Sequence, residues 1–64
     1  MSFAKKLCDL MEKEHISSYK LAKDIGVHVS TVTNWREGKP ITVDKIVSVA
    51  KHFDVTVDEL LKED

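Results

Sequence analysis

The side chains best suited to ligate a metal or to act as nucleophile and base in this 64-residue chain are His15, His28, His52 and Cys8. No two of the histidines stand at a ligand-pair spacing, and one cysteine does not complete a metal site. No Ser/His/Asp, Cys/His or paired-carboxylate arrangement is present, and the two glycines do not form a phosphate-cradling loop. The expectation is a chain without catalysis, metal or cofactor. Cys8 alone cannot close an internal disulfide, and no electropositive setting beyond Lys5 activates it, so it reads as a structural thiol in a reducing, cytoplasmic compartment. Trp35 offers a stacking surface, but its spacing from Val32 and Leu21 places it in a core.

With 42% hydrophobic and 33% charged residues, the composition is that of a water-soluble globular domain. Residues 1–64 read as a single domain, and a chain this short buries only about 60% of its unfolded surface. No apolar run approaches the roughly 20 residues that span a bilayer. The N-terminus lacks the charged and apolar regions of a signal peptide. The net charge is −1, yet the acids Asp54, Asp58, Glu59, Glu63 and Asp64 crowd the end of the chain. The remainder, through Phe53, is net positive, and local charge decides whether an anionic polymer is attracted.

Hydrophobic spacing is helical throughout, and five helices are expected. Helix 1 spans about Ser2 to Glu14, capped by Ser2, with Phe3, Leu7, Leu10 and Met11 on one face and Cys8 at its edge. Ser17 caps helix 2, which carries Leu21, Ala22 and Ile25 inward between Tyr19 and Ile25 and stops at Gly26. Helix 3 spans about Val29 to Glu37, with Val32 and Trp35 inward, and Gly38 ends it. Its β-branched run Val29 to Thr33 is the weakest helix by propensity. Thr42 caps helix 4, whose buried face is expected to hold Val43, Ile46, Val47, Ala50 and Phe53. Thr56 and Glu59 form a capping box that opens helix 5, with Leu60 and Leu61 as its apolar contacts.

Helices 2 and 3, joined by a short turn at Gly26, have helix-turn-helix spacing. Ala22 permits close approach of the two helices, and Val32 fills the wedge between them. Leu21, Ile25, Val27 and Trp35 form the apolar floor. LAKDIGVHVSTVTNWREGK, followed by ITVDKIVSVAKHFDVTVDELL, resembles the lambda-repressor/Cro-like (XRE) helix-turn-helix family over nearly the whole chain. The resemblance implies an all-α, compact five-helix domain whose third helix lies in the DNA major groove. It implies a prokaryotic or phage-encoded transcriptional regulator, usually a repressor, with operator DNA as partner. Family members usually bind as homodimers on half-sites about 34 Å apart. Family dimers often use helix 5, where Val57 and Leu61 leave an apolar strip.

The exposed face of helix 3 is expected to present Val29, Ser30, Thr33 and Asn34 to the bases, and the resemblance implies base contact at the positions matching Val29, Ser30 and Asn34. Asn34 can pair bidentately with adenine N6 and N7, Ser30 with several base edges, and Val29 with a thymine methyl. Phosphate contacts are implied at Ser17, Ser18, Tyr19, Lys20, His28, Lys39, Thr42 and Lys45, from the start of helix 2 and the surroundings of helices 3 and 4. Three positions depart from the family pattern. His28 stands where serine commonly caps helix 3, and histidine is a poor cap, so it is expected to face a phosphate instead. Ser18 replaces a common glutamine and is too short to brace helix 3. Arg36 replaces a usual glutamate. A protein-interaction module on the same fold, such as an antirepressor or an antitoxin-like regulator, is the alternative that the near-neutral charge favours.

Overall fold

The computed structural model describes residues 3–62. Ser2, expected to cap the first helix, lies outside them, as do Glu63 and Asp64. Five helices follow in order: α1 (Phe3–Lys13), α2 (Ser18–Ile25), α3 (Val29–Arg36), α4 (Val43–Phe53) and α5 (Val57–Leu61). No strand occurs among the described residues. Leu7 and Met11 of α1, Leu21 and Ala22 of α2, Val32 and Trp35 of α3, Ile46, Val49 and Ala50 of α4, and Leu60 of α5 form one buried core. It holds no buried polar or charged residue among the described residues. Every helix thus contributes to a single apolar centre, which is how so short a chain gathers enough buried area to fold.

The helix boundaries come from local chemistry. Ser17, Thr42 and Thr56 cap α2, α4 and α5, each accepting from the backbone N–H three residues on. Gly26 takes φ 77° past α2, where its N–H and that of Val27 both return to Ala22 O. A Cβ is disfavoured in that left-handed geometry, so the glycine makes the abrupt turn into α3 possible. The β-branched α3 forms because packing outweighs propensity: Val32 and Trp35 are driven inward.

Several expectations need correction. Val43 is 75% exposed, and the fully buried residue of α4 that periodicity overlooked is Val49. Val43 occupies the first turn of α4, beyond the edge of the core, so the buried face runs along Ile46, Val49 and Ala50. Leu61 is 57% exposed, and Leu60 is the buried residue of α5, with Val57 packed against the core beside it. Only half of the capping box is made. Glu59 N donates to Thr56 Oγ1, with no return bond from the Glu59 carboxylate among the described residues. Glu37 caps α3 rather than ending it.

Two polar ties hold the helices in register. Lys6 on α1 donates its ammonium to the carbonyls of Glu59 and Lys62 at the end of α5. A cation there also meets the negative end of the helix dipole. Asp24 on α2 accepts from Lys20 Nζ at 2.7 Å and from His52 Nε2 of α4 at 2.9 Å. A carboxylate only accepts, so Nε2 is the donor to Asp24, and the buried Nδ1 has no partner among the described residues.

The Lys20 hydrogen bond, and after it the His52 bond, holds the Asp24 carboxyl below its ordinary value of 3.8. A lowered carboxylate stabilises the fold above its unfolded-state value and loses that contribution as pH falls through its native value. The melting temperature of Asp24→Asn should therefore lie below that of the unsubstituted protein at neutral pH, and the gap should close as pH falls below 3.8. A pH-independent gap would remove this assignment.

Candidate nucleic-acid interface

The helix-turn-helix is built on the contact between α2 and α3, the most extensive between any two helices. Ala22 is buried at that contact and Val32 is fully enclosed, as a wedge must be. With Val32 and Trp35 turned inward, the opposite face of α3 is left to Ser30, Thr33 and Asn34, all exposed, with Val29 half-buried at its margin. This brings together the four residues expected to face the bases.

Their hydrogen bonds differ in a way that matters for recognition. Thr33 Oγ1 donates to Val29 O at 3.2 Å, so its proton is used inside the helix. Ser30 Oγ lies 2.8 Å from His28 Nδ1. Asn34 makes no side-chain hydrogen bond among the described residues, and its amide keeps both donor and acceptor free.

His28 corrects an expectation: it is the N-cap of α3. With φ −74° and ψ 148°, it turns Nδ1 onto the N–H of Ser30 at 3.1 Å. The ring nitrogen takes the place of a serine oxygen. To accept there, Nδ1 must carry no proton, which leaves the proton on the exposed Nε2 side. Removing a cap costs about 0.5–2 kcal/mol. His28→Ala should therefore lower stability by that amount in chemical denaturation, and His28→Ser should restore it. Equal midpoints for the unsubstituted protein and the alanine variant would show that the imidazole contributes nothing as a cap.

The other two departures from the family pattern join each other. Arg36 Nη1 donates to Ser18 Oγ at 2.7 Å, and its Nε points at Cys8 Sγ at 3.5 Å. The short serine at the start of α2 leaves room for the long arginine at the end of α3. The bracing that Ser18 was expected to lose is supplied from the other side. Read singly along the chain, neither residue announces the pair. The usable signal was that a long donor and a short acceptor both depart from one pattern.

The residues implied at phosphate positions are placed as follows. Ser17, Tyr19, Lys20, His28, Lys39 and Thr42 are exposed, and Ser18 and Lys45 are half-buried. Tyr19 is 68% exposed, its ring outside the core. Ser17 and Thr42 use their hydroxyls as caps. Lys20 is engaged with Asp24, whereas Lys39 and Lys45 have no acidic partner among the described residues. No group of three or more His, Cys, Asp or Glu among the described residues could hold a metal ion. No helix among them is long and apolar enough to cross a membrane.

No curated protein and no solved structure matches the chain. The family model of the Cro/C1-type HTH DNA-binding domain matches residues 6–63, which takes in α2, the turn at Gly26 and α3 together with the helices that support them. The chain thus belongs to the Cro/C1-type helix-turn-helix family of DNA-binding domains.

Proposed function

We propose that the protein is a sequence-specific regulator of transcription, a repressor, that reads the major groove of double-stranded DNA with α3. The observation that carries this reading is the exposed face of α3. Asn34 offers an unengaged amide there, Ser30 and Thr33 stand beside it, and Val29 supplies an apolar edge. A bidentate amide selects adenine, and an apolar edge suits a thymine methyl, so this face leans toward A·T steps. Thr33, its proton already given to Val29 O, meets the groove as an acceptor.

Around this face, Ser17, Ser18, Tyr19 and the free backbone N–H groups at the start of α2 hold one stretch of phosphates, joined by Lys20. Thr42, Lys39 and Lys45 hold another, and the outer nitrogen of His28 reaches a third. The protein acts in the cytoplasm as a homodimer on two half-sites about 34 Å apart. Leu61, exposed at 57% on α5, supplies apolar surface for the pairing.

The test is selection of random duplex DNA on the purified protein at two salt concentrations. Enrichment of a two-fold-symmetric site, bound less tightly as salt rises, supports the reading. A folded protein that enriches nothing would transfer α3 to a protein partner and remove it.

A further inference from the structure

Arg36 is an arginine without a carboxylate. No ion pair involves it among the described residues, and its hydrogen bonds go to neutral atoms: Ser18 Oγ, at 2.7 Å, and Cys8 Sγ, at 3.5 Å. Those two contacts come from α2 and α1, so the guanidinium is fixed from two directions although its side chain is exposed. Three of its five N–H groups are left unengaged. A planar cation held through Nε and Nη1, with both N–H groups of Nη2 unengaged, can donate to an oxyanion with little loss of rotamer freedom.

Its position supports the same reading. Seven residues along an α-helix complete nearly two turns, so Arg36 lies in line with Val29, at the margin of the exposed face of α3. It stands there beside Ser18. Other cations around the helix-turn-helix are less well placed for such a contact, since Lys20 is turned onto Asp24 and Lys39 lies in the loop beyond α3.

We propose that Arg36 is a phosphate-binding residue of this protein, its unengaged Nη2 donating to one backbone phosphate of the bound duplex while Ser18 and Cys8 hold Nη1 and Nε. This rests on the DNA-binding reading above and adds to it a specific cation. The contact is blind to sequence. It fixes the angle at which α3 enters the groove, because the same side chain ties the end of α3 to the start of α2.

The test compares the salt dependence of duplex binding by the unsubstituted protein, Arg36→Gln, Arg36→Lys and Ser18→Ala, each checked for a cooperative thermal transition above the assay temperature. One neutralised phosphate contributes about 0.9 to the slope of log affinity against log salt. Arg36→Gln should lower the slope by about that amount and weaken selected and random duplexes by the same factor. Arg36→Lys should keep the slope and bind less tightly, since the charge remains and the fork is lost. Ser18→Ala should likewise keep the slope, because it leaves the cation in place. An unchanged slope in a folded Arg36→Gln protein, even one with lower thermal stability, would reduce Arg36 to a structural tie and overturn the proposal. If the unsubstituted protein shows no salt-dependent binding, the DNA-binding reading fails first and this inference falls with it.

Discussion

Trp35→Ala should leave the chain without a cooperative folded state at ambient temperature. The indole is 3% exposed at the centre of the single core, and truncating a buried tryptophan costs about 3–5 kcal/mol. A domain below roughly 70 residues rarely holds more than 3–5 kcal/mol in total. One substitution therefore removes most or all of the margin. The cavity would open within the buried cluster that also holds Leu7, Leu21 and Val32. Trp35→Phe should keep the fold with a lower denaturation midpoint, because the phenyl ring fills part of the volume. Circular dichroism during urea titration reads both. A Trp35→Ala protein with a near-normal midpoint would mean that the indole lies at the surface, and base stacking would return as its role.

Asn34→Ala should have the opposite profile. The side chain is exposed and makes no hydrogen bond among the described residues, so stability should move little. Selectivity should fall at one base pair of each half-site, by about 1–3 kcal/mol of discrimination if the amide grips adenine on two atoms. In a base-by-base binding profile, one column would flatten while the others kept their shape. A uniform loss across all positions would instead place Asn34 on the phosphate backbone, and an unchanged profile would remove it from the interface.

The fold was legible because its determinants are local. Ser17, Thr42 and Thr56 cap where their side chains lead one to expect, and Gly26 turns where a glycine is needed. The apolar spacing finds Leu7, Leu21, Val32, Trp35 and Ile46 in the core. What escaped depends on relations that periodicity does not contain. Val43 and Val49 both fit an amphipathic pattern, and only the end of the core, a tertiary fact, decides between them. The His28 cap depends on a ring rotamer, which the propensity of histidine for caps does not report. The Ser18–Arg36 bond joins residues on different helices, and along the chain Ser18 reads only as too short and Arg36 only as a departure from the usual glutamate. The face of α3 was legible as a set, but the engagement of Ser30 and Thr33 within the protein was not.

The Lys6 contact with α5 bears on the order of events in folding. At five residues, α5 is far too short to persist by itself, and it is held to the rest by Leu60 in the core, Val57 packed against it and the Lys6 ammonium. The Lys6 bonds span more than fifty residues of chain, so the entropy of closing that loop is lost before they can offset it. The helix-turn-helix, made of neighbours in sequence, can assemble first, and α5 then docks onto a surface already present. The same asymmetry governs opening. Amide hydrogens of α5 should therefore exchange through a local detachment that leaves α2 and α3 intact, so that the helix-turn-helix outlasts the part that closes the fold.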